Sequence, residues 1–241
     1  MKLLISIVTH NQASLVQSLL ASIDLFLKSE LHEVLIVITE NDLYDHNLNS
    51  KNFKVTHINN LRKKGFGDNH NSVFEKFDSD FFFIVNPDII LKEEFNLDLI
   101  VEHLVEKEID ISSPQVFNNE GIVEDYKRAD LSFLNLCKRK LLNNNLENFD
   151  WLAGMFLIIK SDSFRKMKGF DTNYFMYVED CDLCMRAREA GLRINDIDDF
   201  SVVHNARRSS ANNIEHLIWH ISSILRYWFI RKVTRIINYK N

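Results

Sequence analysis

The sequence predicts an α/β protein with a central, mostly parallel mixed sheet and helices on both of its faces, and two patterns lead to this prediction. Short apolar runs rich in β-branched residues alternate along the chain with segments whose apolar residues recur at helical spacing. Several of the apolar runs are continuous, which is typical of strands buried on both sides. Strands that alternate with helices in this way form a sheet that helices cover on both faces.

The first elements follow this alternation. Residues 3–8 are predicted as a buried strand, and the helix after them carries an apolar stripe, with Ser14 as its N-cap residue. Residues 34–38 are the next strand, and residues 53–58 are a weaker candidate. The stripe of the helix consists of Val16, Leu19, Leu20, Ile23 and Leu27.

A polar, Gly-containing loop is predicted over residues 59–71, before a short helix that ends near Phe77. Residues 81–85 form a strongly apolar strand. We expect this strand to end at residues 86–88, because the proline there has no backbone N–H to donate to a neighbouring strand.

The second half of the chain is less regular, and residues 109–148 show no clear pattern. Three elements follow them: a strand over residues 151–159, a short helix capped by Ser161 or Asp162 that runs through Met167, and a helix over residues 180–190 closed by Gly191. The 241 residues suit one substantial core, and no internal repeat or linker rich in Gly, Pro or Ser divides them.

Composition argues against several classes of protein. A net charge of −5 lacks the basic footprint that general nucleic-acid binding requires. Three cysteines are too few for a disulfide framework and indicate a reducing compartment. The N-terminus reaches Thr9 too soon for a signal peptide, and no apolar run approaches the roughly 20 residues of a membrane span, so we expect a cytoplasmic body. The glycine-rich loops of dinucleotide and P-loop enzymes and the Gly-x-Ser-x-Gly elbow of hydrolases do not occur.

Three polar clusters fall at the carboxyl ends of predicted strands, where open α/β sheets bind their ligands. They are Thr9-His10-Asn11, Thr39-Glu40-Asn41-Asp42 and Asn86-Pro87-Asp88. We therefore expect a ligand site at this edge of the sheet.

Asp88 is the candidate metal ligand, because it directly follows a buried strand that would hold its carboxylate rigidly at the sheet edge. Asn-Pro-Asp is also a favourable turn sequence, so a structural role stays open at this point. His204 ends another short apolar run, and a histidine after a strand is most often structural.

Glu179 and Asp180 are the candidates for acid–base chemistry. An aromatic segment delivers these adjacent carboxylates to a helix N-terminus, and a hydrophobic surround would raise a carboxylate pKa toward the range useful for a general base. The helix dipole also favours acids at this position, so the alternative is that both are ordinary helix-starting residues.

Taken in order, these segments resemble glycosyltransferase family 2, whose members have the GT-A fold, and in particular its bacterial rhamnosyltransferase-like branch. The matching motifs are Ser6-Ile-Val-Thr-His-Asn11, Gly65-Phe-Gly-Asp-Asn-His-Asn71, Val85-Asn-Pro-Asp88, Trp151-Leu-Ala-Gly154, Gly169-Phe-Asp171 and Tyr177-Val-Glu-Asp180-Cys-Asp182-Leu with Arg186. Three departures stand out. Thr39-Glu40 replaces the family's usual Val-Asp, Asn69 replaces a glycine, and Asn86 leaves only the last acid of the metal motif.

The resemblance implies a role for each segment. The nucleotide-sugar site would contain Thr9, His10, Asn11, Asn41, Asp42, Gly65, Phe66, Asn71, Asn86 and Asp88. The acceptor side would contain Trp151, Gly154, Asp182 and Arg186. Asp180 is implied as the catalytic base and Glu179 as the residue that positions acceptor or donor. Asp88 and His204 are implied as ligands of a divalent cation, Mg²⁺ or Mn²⁺.

The activity that the resemblance implies is the transfer of a sugar from a nucleotide-sugar donor with inversion at the anomeric carbon. The Asn-Pro-Asp motif favours dTDP-L-rhamnose as the donor, with UDP-hexoses and UDP-galactofuranose as alternatives. Such relatives build O-antigen, capsule or other cell-envelope glycans on lipid-linked acceptors at the inner face of the cytoplasmic membrane.

Two other functions compete with sugar transfer. A sugar-phosphate nucleotidyltransferase would also use a nucleotide-binding sheet, but it would need a Gly-rich basic loop that residues 6–11 lack. A non-catalytic glycan-binding protein would not need Asp88, Glu179 and Asp180 together.

Residues 214–241 differ from the GT-A domain predicted over residues 1–213. From residue 214 onward the chain has five basic residues and one acidic residue, whereas the whole chain is negative. A basic amphipathic helix of this kind can lie in a membrane interface, or it can pack on the protein's own core or on a second subunit. The apolar stripe is Ile214, Leu217, Ile218, Ile221, Leu225 and Trp228, and the basic residues are Arg226, Arg231, Lys232, Arg235 and Lys240.

Overall fold

The computed structural model of the protein describes residues 1–41, 48–132, 149–205 and 214–238, together with Asn135, with side chains through Arg231 in the last segment. Strands and helices alternate through these residues. The strands are β1 (Lys2–Thr9), β2 (Leu27–Lys28), β3 (Glu33–Glu40), β4 (Lys54–Asn59), β5 (Phe81–Val85), β6 (Ile89–Ile90), β7 (Phe95–Asn96), β8 (Ile111–Phe117), β9 (Lys127–Arg128), β10 (Trp151–Leu152), β11 (Phe156–Lys160) and β12 (Ile194–His204). The helices are α1 (Ala13–Phe26), α2 (Phe66–Lys76), α3 (Leu97–Glu106), α4 (Ser161–Lys166), α5 (Glu179–Glu189) and α6 (Ile214–Asn238).

Eight strands form the main sheet, in the order β4-β3-β1-β5-β11-β8-β12-β6. The first four are parallel, β11 runs antiparallel to both of its neighbours, β8 and β12 are parallel, and β6 closes the edge antiparallel to β12. The predicted mostly parallel mixed sheet is therefore confirmed. Because the register pairs Thr9 with Glu40 and Ile7 with Val85, the polar residues that follow β1, β3 and β5 meet at one edge.

Helices cover both faces of the sheet around β1. Ser6 hydrogen-bonds to His70 of α2 at 2.8 Å, whereas the neighbouring Ile5 packs with Leu19 and Ile23 of α1. Successive strand residues point to opposite faces, so α1 and α2 lie on opposite sides. Burial lowers the pKa of His70 to about 3, and the neutral ring therefore joins α2 to the sheet through Ser6.

Two predicted details of the first half are wrong. The N-cap residue of α1 is Gln12, so Ser14 lies inside the first turn and does not cap the helix. The loop predicted over residues 59–71 ends earlier, because α2 begins at Phe66. The polar residues of this segment suggested a loop, but Asn69 is buried and donates hydrogen bonds to the carbonyl groups of the preceding turn.

Two strand predictions of the second half are also corrected. Residues 109–148 contain β8, an internal strand of the main sheet, whose pattern is masked by the buried Ser112 and by Pro114. The strand predicted over residues 151–159 is two strands in different sheets, since the chain turns at Gly154 between β10, which pairs with β9, and β11, which pairs with β5.

The last helix, α6, docks on the rest of the chain through one face. Three of its side chains donate hydrogen bonds to the body: Ser223 to the Met176 carbonyl at 2.9 Å, Tyr227 to the Asp130 carboxylate at 2.5 Å, and Trp228 to the Leu131 carbonyl at 2.6 Å. Arg226 and Arg231 form ion pairs with Asp171 and Glu189. The docked face therefore uses both polar and aromatic contacts.

The opposite face of α6 is an exposed apolar stripe. Its members are Ile214, Leu217, Ile218, Ile221, Leu225 and Phe229, each at least half exposed. The predicted stripe is confirmed except at its end, where Trp228 turns toward the body and Phe229 takes its position. Among the helices that the structure describes, none is both long and apolar enough to span a membrane.

Candidate active site

A cleft of about 530 Å³ opens at the carboxyl edge of the sheet, a size typical of small-molecule sites. Its walls come from the ends of β1 and β5, the loop before α2, the turn after β10, the start of α5 and the first turns of α6. The predicted site residues that line it are Thr9, His10, Asn41, Phe66, Asn86, Asp88, Trp151, Gly154, Glu179 and Asp180. The polar clusters that follow the three strands therefore converge.

The remaining predicted residues do not line this cleft. They are Asn11, Gly65, Asn71, Asp182, Arg186 and His204, while Asp42 lies outside the described residues. Several of them hold the walls of the cleft in place, as their hydrogen bonds show.

Asn71 and Arg186 fix the turn that follows α4. The Asn71 side chain accepts a hydrogen bond from the Phe170 N–H at 3.0 Å and donates one to the Phe170 carbonyl at 2.9 Å. Arg186 donates to the Asp182 carboxylate at 2.7 Å and to the carbonyl of Gly169 at 2.9 Å. Asn71, Asp182 and Arg186 therefore stabilise the turn at Gly169 and Phe170 and do not line the cleft.

Asn41 fixes the loop between β4 and α2. Its side chain donates to the Lys64 carbonyl at 2.8 Å and accepts from the Lys64 N–H at 2.9 Å and from the Asn60 amide at 3.1 Å. The loop brings Lys63 and Lys64 to the cleft, where sequence reasoning had not placed them. Beside it, the Thr9 hydroxyl is buried and has no hydrogen-bond partner among the described residues, so it can bind a ligand.

Gly65 is required by a close approach of two backbone segments. A Cβ atom at this position would lie 2.6 Å from the carbonyl oxygen of Phe175, nearer than a carbon can approach. The Phe66 N–H donates to the same carbonyl at 2.9 Å. The loop before α2 and the aromatic segment before α5 are therefore joined directly.

Asp88 and His204 lie side by side, because β6 and β12 pair next to the end of β5. His204 Nε2 is 3.2 Å from Asp88 Oδ2, and His204 Nδ1 is 3.8 Å from a carboxylate oxygen of Glu124. Burial opposes the charged imidazolium, but the hydrogen bond and charge of Asp88, followed by Glu124, together raise the pKa of His204 above its ordinary value.

The Asp88–His204 pair has the chemistry of two cation ligands. Asp88 Oδ1 and His204 Nδ1 are buried and accept no hydrogen bond from any residue that the structure describes. Across the same residues, no group of three or more His, Cys, Asp and Glu side chains is arranged to hold a metal. A pair of protein ligands suits a cation that also takes phosphate oxygens and water, as Mg²⁺ does in phosphate-binding sites. Ligation by His204 would release its proton.

A strained turn aims the two catalytic candidates at the cleft. Tyr177 and Val178 have φ values of 71° and 74°, a left-handed conformation that is unusual for bulky and β-branched residues. Each such residue costs on the order of 1–3 kcal/mol and persists only where surrounding contacts hold it. One such contact is the 2.6 Å hydrogen bond between the Tyr177 hydroxyl and Nδ1 of His216 on α6. The turn ends at Glu179 and Asp180, the first residues of α5.

Two backbone groups orient the Asp180 carboxylate. Its Oδ2 atom accepts a hydrogen bond from the Gly154 N–H at 2.8 Å, and its Oδ1 atom accepts one from the Cys181 N–H at 2.8 Å. Each oxygen has a further lone pair. The side chain is therefore held in one orientation while it can still accept a proton.

Glu179 differs sharply from its neighbour. It is 5% exposed, and burial followed by the negative charge of Asp180 raises its pKa well above the ordinary value of 4.5. Because its pKa is raised, Glu179 gives up its proton less readily than an ordinary carboxyl, and the protonated form can donate a hydrogen bond. Two adjacent carboxyl groups in such different environments are suited to different roles.

Besides Lys63 and Lys64, sequence reasoning missed Arg128 and one face of α6. Arg128 lies over the ring of Trp151, 4.9 Å from its centroid, and both line the cleft. The α6 residues are Glu215, His216, Trp219, His220 and Ile224. The signal that identifies the α6 residues is the polar and aromatic face opposite the apolar stripe of α6.

Comparison with known proteins agrees with this architecture. The model of the family "Glycosyl transferase family 2" matches residues 5–168. The chain is 32% identical over 184 residues to rhamnosyltransferase WbbL of Escherichia coli K12, a match that covers 68% of this chain and 69% of that protein. It is 35% identical over 74 residues to N-acetylglucosaminyl-diphospho-decaprenol L-rhamnosyltransferase of Mycobacterium tuberculosis, which covers 30% of this chain and 24% of the relative.

Solved structures share the fold at low identity. The crystal structure of GalNAc-T7 with UDP, GalNAc and Mn²⁺ superposes with a TM-score of 0.66 at 14% identity, over 86% of this chain and 44% of that one. In six of the solved structures that it resembles, the chain spans from 37% to 64% of the solved chain. At this identity the likeness is one of fold.

Proposed function

Since this chain belongs to glycosyltransferase family 2 and is a glycosyltransferase of the GT-A fold, we propose that it transfers L-rhamnose from dTDP-L-rhamnose to a lipid-linked glycan with inversion. One observation carries the proposal. The oriented carboxylate of Asp180 and the Asp88 carboxylate beside His204 share one cleft, in a chain that resembles a rhamnosyltransferase over 184 residues. Because the chain belongs to this family, we set aside the two alternative functions, a sugar-phosphate nucleotidyltransferase and a non-catalytic glycan-binding protein.

The donor occupies the sheet edge in this proposal. Thr9 and Asn41 lie where a base and a ribose would contact the ends of β1 and β3. Lys63 brings positive charge to the same wall, which suits a diphosphate, whereas the Lys64 ammonium contacts Asp68 and Ser72 on α2. A divalent cation, held by Asp88 and His204 when bound, would supply further charge to stabilise the departing diphosphate.

The transfer is a single displacement. Asp180 accepts the proton of the acceptor hydroxyl while that oxygen forms a bond to the anomeric carbon. The bond between the anomeric carbon and the diphosphate oxygen breaks on the opposite face, and the configuration inverts. Protonated Glu179 donates a hydrogen bond in the same site and positions a sugar hydroxyl. The hydrogen bond from the Gly154 N–H keeps the Asp180 carboxylate in its orientation.

The acceptor in this proposal carries a sugar on a lipid diphosphate. The name of the mycobacterial relative gives N-acetylglucosaminyl-diphospho-decaprenol as the molecule that receives rhamnose. UDP-hexoses and UDP-galactofuranose are the alternative donors, and a cell-envelope glycan such as O-antigen is the product class that the proposal implies.

A donor panel tests this proposal. The protein is incubated with N-acetylglucosaminyl octyl diphosphate and, in separate reactions, dTDP-L-rhamnose, UDP-glucose or UDP-galactofuranose, and products are followed by mass spectrometry. We expect a gain of one deoxyhexose from dTDP-L-rhamnose. Transfer from a UDP-sugar alone would replace the donor assignment, and no transfer from any donor would contradict the proposed function.

The Asp180→Asn variant tests the base. Asparagine keeps the shape but has one acceptor oxygen for two backbone N–H donors, so we expect about 1 kcal/mol lower stability and about 10²–10⁴-fold slower turnover. The shift in melting temperature caused by dTDP should persist, since the nucleotide contacts are elsewhere. Glu102→Gln, at an exposed position on α3, is the control. Near-normal turnover in Asp180→Asn would end the assignment.

The exposed stripe of α6 fits a membrane interface. Six large apolar side chains project from a helix that the body holds by its other face, and such a face can enter the boundary between headgroups and acyl chains. Arg226 and Arg231 form ion pairs with acidic residues of the body. We therefore expect burial of the apolar side chains to contribute more to membrane binding than positive charge does. Contact with a membrane would bring the cleft to a lipid-linked acceptor.

Liposome flotation tests this contact. Wild-type protein should float with anionic vesicles and be released only in part by high salt, because screening weakens the ionic share alone. Ile218→Asp should abolish flotation, whereas Leu99→Asp, at an equally exposed position on α3, should not. Equal flotation of both variants would refute the interface, and a concentration-dependent dimer would assign the stripe to a second copy.

A further inference from the structure

Helix α6 forms one wall of the cleft. His216, Trp219 and His220 follow each other at a spacing that keeps them on one side of the helix, and all three line the cleft. The helix lies outside residues 5–168, the part of the chain that the family model matches. This wall is therefore a feature of this chain beyond the matched domain, and it stands opposite the exposed apolar stripe.

The indole ring of Trp219 is held at a defined place in this wall. Its centroid is 4.8 Å from that of Phe175 at an interplanar angle of 43°, and 5.0 Å from the ring of His216. Phe175 is itself fixed by the Phe66 N–H at 2.9 Å, and His216 by the Tyr177 hydroxyl at 2.6 Å. Two fixed rings therefore contact the indole, which is only partly buried.

Trp219 lies on the side of the cleft that the aromatic segment before α5 forms. Both of its neighbours contact the short segment that leads into the catalytic candidates, since Phe175 and Tyr177 precede Glu179 by four and two residues. The donor contacts Thr9 and Asn41 belong to different elements, at the ends of β1 and β3.

We propose that Trp219 is the stacking platform for the acceptor sugar, an assignment that rests on the proposed function. One face of a pyranose ring presents C–H groups that pack on an aromatic surface, and a rigid indole supplies a large area at low entropic cost. A platform that is braced before binding also lowers the cost of ordering the acceptor. Trp219 takes no part in the proton transfer, which Asp180 carries out. We therefore expect Trp219 to affect the affinity for the acceptor.

Kinetics with a soluble acceptor separate this role from others. With N-acetylglucosaminyl octyl diphosphate and no vesicles, Trp219→Ala should raise the acceptor KM about tenfold, the loss expected for one aromatic contact. The kcat at saturating acceptor, the donor KM and the slow hydrolysis of donor without acceptor should stay near wild-type values. Trp219→Phe should recover most of the affinity. Leu217→Ala, on the exposed face of the same helix, is the matched control and should behave as wild type.

A binding measurement tests the role of Trp219 without any transfer of sugar from a donor. Titration of the dTDP-loaded protein with N-acetylglucosaminyl octyl diphosphate should change the tryptophan fluorescence of wild type, and this change should be smaller in Trp219→Phe, which retains Trp228 and the cleft residue Trp151. An unchanged acceptor KM in Trp219→Ala, or the same fluorescence change in Trp219→Phe, would overturn the platform. Equal falls in kcat and donor hydrolysis would instead assign Trp219 a structural role. Failure of every donor while the fluorescence response persists would count against the proposed function alone.

Discussion

The Glu179→Gln variant should change how the stability of the fold depends on pH. The wild-type side chain is buried, and its Oε2 atom accepts no hydrogen bond within the part of the chain that the structure describes. Burial, followed by the negative charge of Asp180, raises the pKa of Glu179 well above 4.5. Glutamine has the same shape but no ionisable proton, so the substitution removes this titration and leaves the packing in place.

The sign of the effect follows from proton uptake. Between the ordinary pKa of 4.5 and the raised native pKa, the folded protein keeps a proton that the unfolded chain has released. The contribution of Glu179 to stability therefore falls as pH rises through this window, by about 1.4 kcal/mol for each pH unit. The glutamine variant lacks this slope. Its stability relative to wild type should grow as the pH is raised from about 5 toward neutral.

Urea unfolding at steps between about pH 5 and pH 8 gives the free energy of unfolding of wild type and of Glu179→Gln as a function of pH. Glu102→Gln, which neutralises an exposed carboxylate on α3, is the control and should run parallel to wild type. If Glu179→Gln also runs parallel to wild type, the buried carboxyl does not titrate as inferred, and the separate roles of Glu179 and Asp180 lose their support. Turnover should be largely retained in Glu179→Gln, because the glutamine amide can donate the hydrogen bond assigned to the protonated carboxyl.

Three further outcomes are expected. Asp88→Ala should remove the chelator-sensitive part of dTDP binding; if wild-type binding and activity are indifferent to chelator, Asp88 holds no cation. Gly65→Ala should cost about 1–3 kcal/mol in unfolding experiments, because the added methyl group meets the Phe175 carbonyl, and an unchanged unfolding midpoint would contradict that contact. Tyr227→Phe should cost about 1.5–3 kcal/mol by loss of its hydrogen bond to the Asp130 carboxylate; a smaller loss would show that α6 docks mainly through apolar contacts.

Much of the fold could be predicted from local pattern. The strand over residues 81–85 is entirely buried, and its continuous apolar sequence had indicated this. The same logic failed for β8, because Ser112 and Pro114 interrupt the apolar pattern of a buried strand. The position of β8 in the sheet is set by the two strands that pair with it, β11 and β12, and both follow it in the chain.

The candidate site shows the same division. The polar residues after β1, β3 and β5 could be expected to converge, since parallel strands bring their carboxyl ends to one edge. The split between lining and supporting residues could not be expected. Asn71 and Arg186 belong to motifs of the resemblance, yet their side chains bind the backbone of a turn that does not line the cleft.

Sequence by itself determined the chemical inventory: the apolar runs that must be buried, the acids at strand and helix ends, and the apolar stripe of α6. Tertiary structure alone decided which of these groups meet. The pairing of β6 with β12 brings His204 to Asp88, and the docking of α6 brings Trp219 to the cleft. The physical reason is that periodicity reports which face of an element is buried, whereas contacts between residues far apart in the chain depend on how the finished elements pack.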